Sequence, residues 1–506
     1  MIDKASTIPY YLQVKEALLK DIAEGKYRPG DKIPAEVELC SIYGVSRPTI
    51  RQAFDDLERE GLLRREKGRG TFITQPGIRV KTRLTFLAPD FHANLIGRPL
   101  AEEFMRLHED IQINVISAPY EAVHEHFYTE FIHHAGHTDI IMVPFSLMPE
   151  YVLGGKLEVL DPYIQESGLD FSRDYLKGPD GRPVIDHTCA FYIPGVGERR
   201  FGIPVQNDVY VLLYRKDLFS KYGLQAPRTP DEYAHAARVL TNSVDESGGH
   251  IPFGTALNAK RTGADLAEDF IGFLWAFGGD LFDSDLVPIV NSPAGRRALE
   301  FYKSLLEFSP PQSVNHSVFD GVKIMAEGDV AMMMNWSSLI GCLENPDYSE
   351  VAGKLGYALF PPECPQVAGW ELAIPYDSQH KAEAFEFIKF ATGASPDVAR
   401  VYMNQGVIPY WLSIVQDSTF NKRNPCAGVI ERAWRKGRGW GRYREARALM
   451  EVTSLYGSHA LTGVMGVEDA LEEMAKVYST LIKKDVEFRR VVKSSRLHEL
   501  SMRAMG

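Results

Sequence analysis

Cysteine is scarce. The 506-residue chain has five, Cys40, Cys189, Cys342, Cys364 and Cys426, odd in number and never in CxxC spacing. That argues against a disulfide framework or a zinc site and fits a reducing compartment. Long apolar runs are also missing, none reaching the roughly 18 residues that a membrane helix needs. The opening stretch MIDKASTIPYYLQVKEALLKDI has neither a continuous apolar core nor a small-residue cleavage site, so no secretory leader is expected and a cytoplasmic location is. No phosphate-cradling glycine loop, nucleophile elbow or HExxH is found, so no catalytic residue and no cofactor is expected. The histidines His124, His126, His133, His134 and His137 have no evident carboxylate partners, and no metal is expected either.

Basic charge is in deficit as well. The formal net charge is -11, so the bulk does not advertise nucleic acid. The deficit is uneven. Residues 1–76 carry 13 Lys+Arg against 12 Asp+Glu, and the remainder 43 against 55. One end is therefore close to neutral, which leaves room there for a nucleic-acid role. A chain of this length implies more than one folding unit.

What the neutral end does contain is ordered. Tyr11, Val14, Leu18 and Ile22 recur at helical spacing, ended by Gly25 and Pro29-Gly30. A second short helix is expected from Ala35 to Tyr43, with Val37, Cys40 and Tyr43 on one face. After the Gly44-Val45 turn, Ser46 reads as an N-cap with Pro48 in the first turn. The third helix turns Ile50, Ala53, Phe54 and Leu57 inward and ends at Gly61. Leu62–Arg65 and Thr71–Thr74 read as two strands around Glu66-Lys67-Gly68-Arg69-Gly70. Helix, turn, helix and hairpin make a winged helix-turn-helix. Its recognition helix would enter the major groove by its N-terminal end, bringing Ser46, Arg47, Thr49 and Arg51 to bases and phosphates. Lys67 and Arg69 at the hairpin tip form a cationic finger. The run GDKIPAEVELCSIYGVSRPTIRQAFDDLEREGLLRREKGRGTFI resembles the DNA-binding domain of GntR-type regulators over residues 8–74. The resemblance implies that Ser46, Arg47, Thr49 and Arg51 face an operator and that Lys67-Gly68 makes the wing contact. One position departs from it: Val37 stands where the family often has an arginine that contacts phosphate.

Beyond a linker (77–82), apolar runs begin at Leu84 (LTFLAPDF), Ile113 (INVISAP) and Asp139 (DIIMVPF), with helical patterns between them. Strands alternating with helices predict a parallel, doubly wound α/β sheet. The strand-end rule then places ligand near Asp90-Phe91, Tyr120 and Phe145-Ser146. Further blocks follow: FGIPVQNDVYVLLYRKDLF from Phe201, FIGFLWAFGGDLFDSD from Phe270, GDVAMMMNWSS from Gly328, GWELAIPYDSQ from Gly369 and QGVIPYW from Gln405. In this order they are similar to family 1 extracellular solute-binding proteins, the carbohydrate-binding partners of ABC transporters, over residues 83–480. The resemblance implies a two-lobed, type II periplasmic-binding-protein-like sensor spanning 83–506. The lobes would be 83–205 with 362–398, and 206–361 with 399–506.

A sugar presents apolar faces and hydroxyl edges, so its site needs flat rings beside carboxylates or amides. The blocks supply Trp275, Trp336, Trp370, Tyr410 and Trp411 as platforms, and Asn207, Asp208, Asp280, Asn335 and Glu371 as hydrogen-bonding partners. The basic stretch Arg432, Arg435, Lys436, Arg438, Arg442, Arg444 and Arg447 reads as a solvated face, with a DNA-backbone contact or a partner surface as the alternative. The sequence thus predicts a ligand-responsive regulator acting as a homodimer on double-stranded DNA, with a mono- or oligosaccharide as the favoured ligand. The competing readings are a transport receptor and a sugar-processing enzyme with a DNA-binding head.

Overall fold

The computed structural model describes residues 10–23, 26–59, 61–66, 69–74, 82–133, 136–193 and 195–483. Lys67, Gly68, His134 and the segment 75–81 lie outside them. The chain divides into two compact units, residues 1–86 with 101–116, and residues 87–100 with 117–506.

The first unit opens with helices α1 (Tyr10–Ala23), α2 (Glu36–Tyr43) and α3 (Arg47–Arg59), followed by the hairpin strands β1 (Leu63–Glu66) and β2 (Gly70–Ile73). The hairpin is antiparallel and pairs Leu63 with Ile73 and Glu66 with Gly70. Val14, Leu18, Leu39, Ile50, Ala53, Phe54, Leu57, Leu63 and Ile73 make one buried core, drawn from the apolar positions that the 3.6-residue period puts on one face. Gly44 ends α2 in the left-handed region (φ 68°), its N–H reaching the Cys40 carbonyl. That turn sets the angle at which α3 leaves. One expectation is corrected here. Val37 does not point inward but is 63% exposed, and Leu39 is the buried residue of α2. Cys40 and Tyr43 do pack against the core, partly buried beside Leu39, and Val37 alone falls off that face.

Next come β3 (Thr82–Pro89), β4 (Ile111–Ala118), β5 (Ile140–Pro144) and β6 (Ile203–Arg215). Then follow helices α4 (Asp265–Ala276) and α5 (Val318–Ala326), strands β7 (Met332–Trp336), β8 (Leu355–Ala358) and β9 (Val367–Ala373), and the paired helices α6 (Ala446–Leu461) and α7 (Val467–Leu481). The seven-stranded sheet has the order β7, β6, β9, β5, β3, β4, with β8 also on β6. The fold is periplasmic-binding-protein-like, but the sheet is mixed. The pairs β7–β6, β8–β6, β9–β6 and β9–β5 are all antiparallel. A uniformly parallel sheet needs each strand to follow its neighbour through a short helical crossover. Here β6 and β7 are separated by residues 216–331, and β7 returns in the opposite sense. The core of the second unit gathers Tyr210, Leu212, Phe270, Phe273, Leu274, Tyr302, Met332 and Met334 with Leu449, Leu471 and Tyr478 of α6 and α7. Helix α4 is buried from Leu266 to Trp275, as its nearly continuous apolar sequence requires. No helix among the described residues is long and apolar enough to cross a membrane.

Candidate functional site

The second unit contains a cavity of about 570 Å³, within the range of small-molecule sites. Several strand and helix ends build its wall. From β3 come Asp90, Phe91 and His92, where the chain passes into a five-residue π-helical stretch, Ala93–Gly97, a form that is rare and concentrated at functional sites. Tyr120 follows β4 and Phe145-Ser146 follow β5. From α4 come Asp265 and Glu268, from α5 Ser317, Val318 and Phe319, and from β7 Trp336 with Ser338. Gln366 and Trp370 belong to the edge and body of β9, and Trp440 to the loop before α6.

Rings dominate. The Trp370 indole lies 3.9 Å from the His92 ring and meets Tyr120 edge-on at 6.0 Å. His92 Nδ1 is 3.0 Å from Gln206 Oε1, and burial holds its pKa down at about 4, so the ring is neutral at physiological pH. Phe91 meets Phe319 at 5.3 Å, and Trp336 packs edge-on against Tyr210 at 4.9 Å. Trp440 reaches the wall because it is flanked by glycines. A Cβ on Gly439 would lie 2.4 Å from the Val367 carbonyl oxygen, and one on Gly441 2.6 Å from the Phe145 ring. Trp440 Nε1 donates to Glu268 Oε2 at 3.0 Å, and Gln366 Nε2 donates to the same oxygen. Burial pushes the Glu268 carboxyl well above the usual range. Asp208 is held in place, accepting from Ser338 N (3.0 Å), Ser338 Oγ (2.7 Å) and Ser337 Oγ (3.0 Å). Burial raises its pKa to about 6.

Of the residues expected from sequence, the cavity brings together Phe91, Tyr120, Phe145, Asp208, Trp336 and Trp370. The others lie elsewhere. Asn207 Oδ1 accepts from Trp434 Nε1 at 2.8 Å, and Asn335 Nδ2 donates to the Val318 carbonyl at 2.8 Å. Trp275 is buried in the α4 core, with Nε1 3.4 Å from Asp280 Oδ1, and Asp280 pairs with Arg438 at 3.2 Å. Tyr410 Oη donates to the Gln206 carbonyl and Trp411 Nε1 to the Thr392 carbonyl, both from buried positions. Glu371 sits behind the wall, fully buried. Asn207, Asn335 and Glu371 share one cause. Each is the strand neighbour of a residue that does face the cavity, and neighbours on a strand point to opposite sides. Sequence reasoning did not assign His92, Lys260, Asp265, Glu268, Phe319, Gln366 or Trp440 to the site. The flanking Gly-Trp-Gly was the available signal for Trp440.

Neither carboxyl oxygen of Glu371 finds a hydrogen-bond partner among the described residues. Burial outweighs the nearby backbone N–H and Thr188 hydroxyl and pushes the group well above the carboxylate range. A carboxyl raised in the folded state stabilises fully only below its unfolded value, near 4.3, and that contribution is lost as pH rises through the folded value. Glu371→Gln, neutral at every pH, should therefore gain on the wild type as pH is raised from 5 to 8, by at most about 1.4 kcal/mol per pH unit. Urea unfolding at several pH values checks this, and parallel pH profiles would contradict it.

In the first unit, α3 carries Arg47, Thr49 and Arg51, and Ser46 stands immediately ahead of it. The Ser46 and Thr49 hydroxyls are 2.8 Å apart. Glu36 of α2 pairs with both arginines, at 2.6 Å to Arg47 Nε and 3.0 Å to Arg51 Nε. Partial burial works the other way, but these two guanidiniums keep the Glu36 carboxyl below its ordinary value. Arg47 and Arg51 still expose more than half of their side chains, and Arg69 at the hairpin pairs with Glu66 while three-quarters exposed. The basic stretch is largely matched by acids. Arg435 pairs with Glu431, Lys436 with Glu363, Arg438 with Asp280, Arg444 with Glu445 and Arg447 with Glu451. Among the described residues no group of three or more His, Cys, Asp or Glu is placed to hold a metal ion.

Comparison with known proteins agrees with both halves. Residues 10–73 match the gntR family of bacterial regulatory proteins. The HTH-type transcriptional repressor NagR of Bacillus subtilis is 47% identical over 75 residues, 15% of this chain and 31% of that protein. The mannitol-binding protein of Pseudomonas aeruginosa is 29% identical over 261 residues, 47% of this chain and 57% of its own. The chain thus spans about a third of the curated regulators it matches and about half of the curated binding proteins. A crystal structure of an ABC transporter solute-binding protein from Agrobacterium radiobacter K84 in complex with ribitol superposes with a TM-score of 0.69 at 25% identity. It covers 79% of this chain and 98% of that one. Both matched families are binding families rather than enzyme families. With residues 94–397 matching it, the chain belongs to the bacterial extracellular solute-binding protein family, and it carries a GntR-type winged helix-turn-helix ahead of that domain.

Proposed function

We propose that this protein is a ligand-responsive transcription regulator whose sensor binds a sugar or sugar alcohol and alters the hold of its winged helix on an operator. One observation carries the reading: a cavity walled by Trp336, Trp370 and Trp440 beside carboxyl groups lies on the same chain as a helix carrying Arg47, Thr49 and Arg51, with Ser46 immediately ahead of it. Indole faces suit the C–H faces of a polyol, and carboxyl groups suit its hydroxyls. The ribitol and mannitol of the related binding proteins support the same class.

In this reading the lobes close on solute, and closure influences DNA only through a difference in solute affinity between two sensor states. Coupling of ordinary size, about 1 to 3 kcal/mol, changes operator affinity about 5- to 150-fold. A homodimer in the cytoplasm would set two recognition helices on half-sites about one helical turn apart. The chemistry is binding without turnover.

The test starts from an operator selected out of randomised duplexes with the full chain. Titration with ribitol, mannitol and common saccharides should then change operator affinity by at least about fivefold for one of them. A sensor that binds solute while operator affinity stays constant would overturn the regulator reading. Trp370→Ala should weaken solute binding about 10- to 100-fold through lost ring contact and leave solute-free operator affinity within about twofold. Loss of the folded circular dichroism signal in this variant would instead assign Trp370 to the core.

A further inference from the structure

The polar groups of the cavity have a sign. Among the described residues its lining carries the acidic groups of Asp90, Asp208 and Asp265, a Glu268 carboxyl that burial pushes towards its neutral form, one ammonium group on Lys260 and no guanidinium. Helix N-termini at a cavity wall ordinarily offer N–H groups to an anion, phosphate above all. Here the chain has filled those seats itself. At the start of α5, Asp265 Oδ1 accepts the Val318 N–H at 3.0 Å. Asp320 Oδ2 accepts the Ser317 N–H at 2.8 Å within a reciprocal cap. At the turn after β7, Asp208 takes the Ser338 N–H. The ammonium of Lys260 is not idle either. The Ser317 hydroxyl holds the Asp320 carboxyl below its usual value, and the charge of Lys260 is among the weaker influences on it. His92 adds no positive charge, being neutral above a pH of about 4.

We propose that the sensor takes its solute in the neutral, unphosphorylated form and rejects the phosphate ester of the same solute. A phosphate brought into the cavity meets the acidic groups of Asp90, Asp208 and Asp265, with Glu268 contributing least because burial favours its neutral form, where a phosphate site would have N–H groups and arginines. The proposal rests on the saccharide reading and deepens it. The effector is the polyol or sugar as it arrives, and a phosphoryl-transfer reaction that consumes it removes it from the sensor.

The experiment is a thermal-shift titration of the full chain with matched pairs: ribitol and ribitol 5-phosphate, mannitol and mannitol 1-phosphate, glucose and glucose 6-phosphate, N-acetylglucosamine and its 6-phosphate. Native-state binding raises the midpoint by mass action. The expected result is stabilisation by at least one parent, with its ester at least about 100-fold weaker. An ester that binds as well as its parent, or alone, overturns the proposal and leaves the saccharide reading standing. No stabilisation by any member of either class overturns the saccharide reading and the proposal with it. Asp90→Asn, at an exposed wall position, should narrow the gap between the binding parent and its ester at least about threefold. An unchanged gap would show that the carboxylates are not what rejects the ester.

Discussion

Replacing Arg47 or Arg51 by alanine should weaken operator binding about 10- to 100-fold for each, if the side chain reads a base edge at about 1 to 3 kcal/mol. Both leave the N-terminal half of α3, where a recognition helix meets the groove, and both guanidiniums are more than half exposed. The double variant should lose less than the product of the two. The arginines share Glu36, and residues with a common partner are not additive. Salt separates two modes of contact. A lost phosphate contact lowers the slope of log affinity against log salt by about one, whereas a lost base contact lowers affinity with the slope nearly unchanged. Gel-shift titrations at three salt concentrations read both. Solute binding should stay intact, and unchanged operator affinity in both single variants would remove α3 from the DNA interface.

Asp269→Ala should destabilise the second unit by about 3 to 5 kcal/mol. Its carboxyl lies behind the cavity wall and accepts from Asn258 N at 2.8 Å, Tyr302 Oη at 3.1 Å and Tyr210 Oη. Asn258 Nδ2 also donates to Tyr210 Oη and to the Met334 carbonyl, each at 2.9 Å. The network therefore ties β6, α4 and the strand that ends in Trp336, all with side chains buried. Alanine leaves two phenols and a backbone N–H without their acceptor in a region of low dielectric, at about 1 to 3 kcal/mol each before water enters. The thermal midpoint should fall by about 5 °C for a unit of this size. A change under about 1 °C would mean that the network is not cooperative. Asp269→Asn should be milder and should gain on the wild type as pH rises. Burial lifts the Asp269 carboxyl to about 6, so the stability that the wild-type group holds below its unfolded value, near 3.9, is lost as pH rises through about 6.

The DNA-facing half was legible because its signals are local. Helix period, the glycine turn after α2 and the hairpin glycines each act within a few residues, and the first two placed Arg47 and Arg51 on α3. The cavity was legible in part. Asp90-Phe91, Tyr120 and Phe145-Ser146 followed from the rule that ligands lie past strand ends, which needs only strand positions. Asn207 with Asp208, Asn335 with Trp336, and Trp370 with Glu371 were each taken together, although an extended strand turns one member of a pair away. Tyr410 and Trp411 entered on aromatic type alone, and both satisfy their polar atoms on backbone carbonyls inside the core. Glu268 and Trp440 escaped because their meeting joins residues far apart in sequence. Only the fold supplies that distance, and no period or spacing within a window encodes it. The antiparallel central pairs were missed for the same reason, since strand direction depends on the long excursion between β6 and β7.

Three of the six tryptophans of the chain, Trp336, Trp370 and Trp440, line one cavity. Solute settling among them alters the surroundings of half the indoles at once, one of them hydrogen-bonded to Glu268. The protein therefore carries its own optical gauge: unlabelled indole emission should report occupancy directly, and a flask of purified chain can serve as its own assay for whatever fills it.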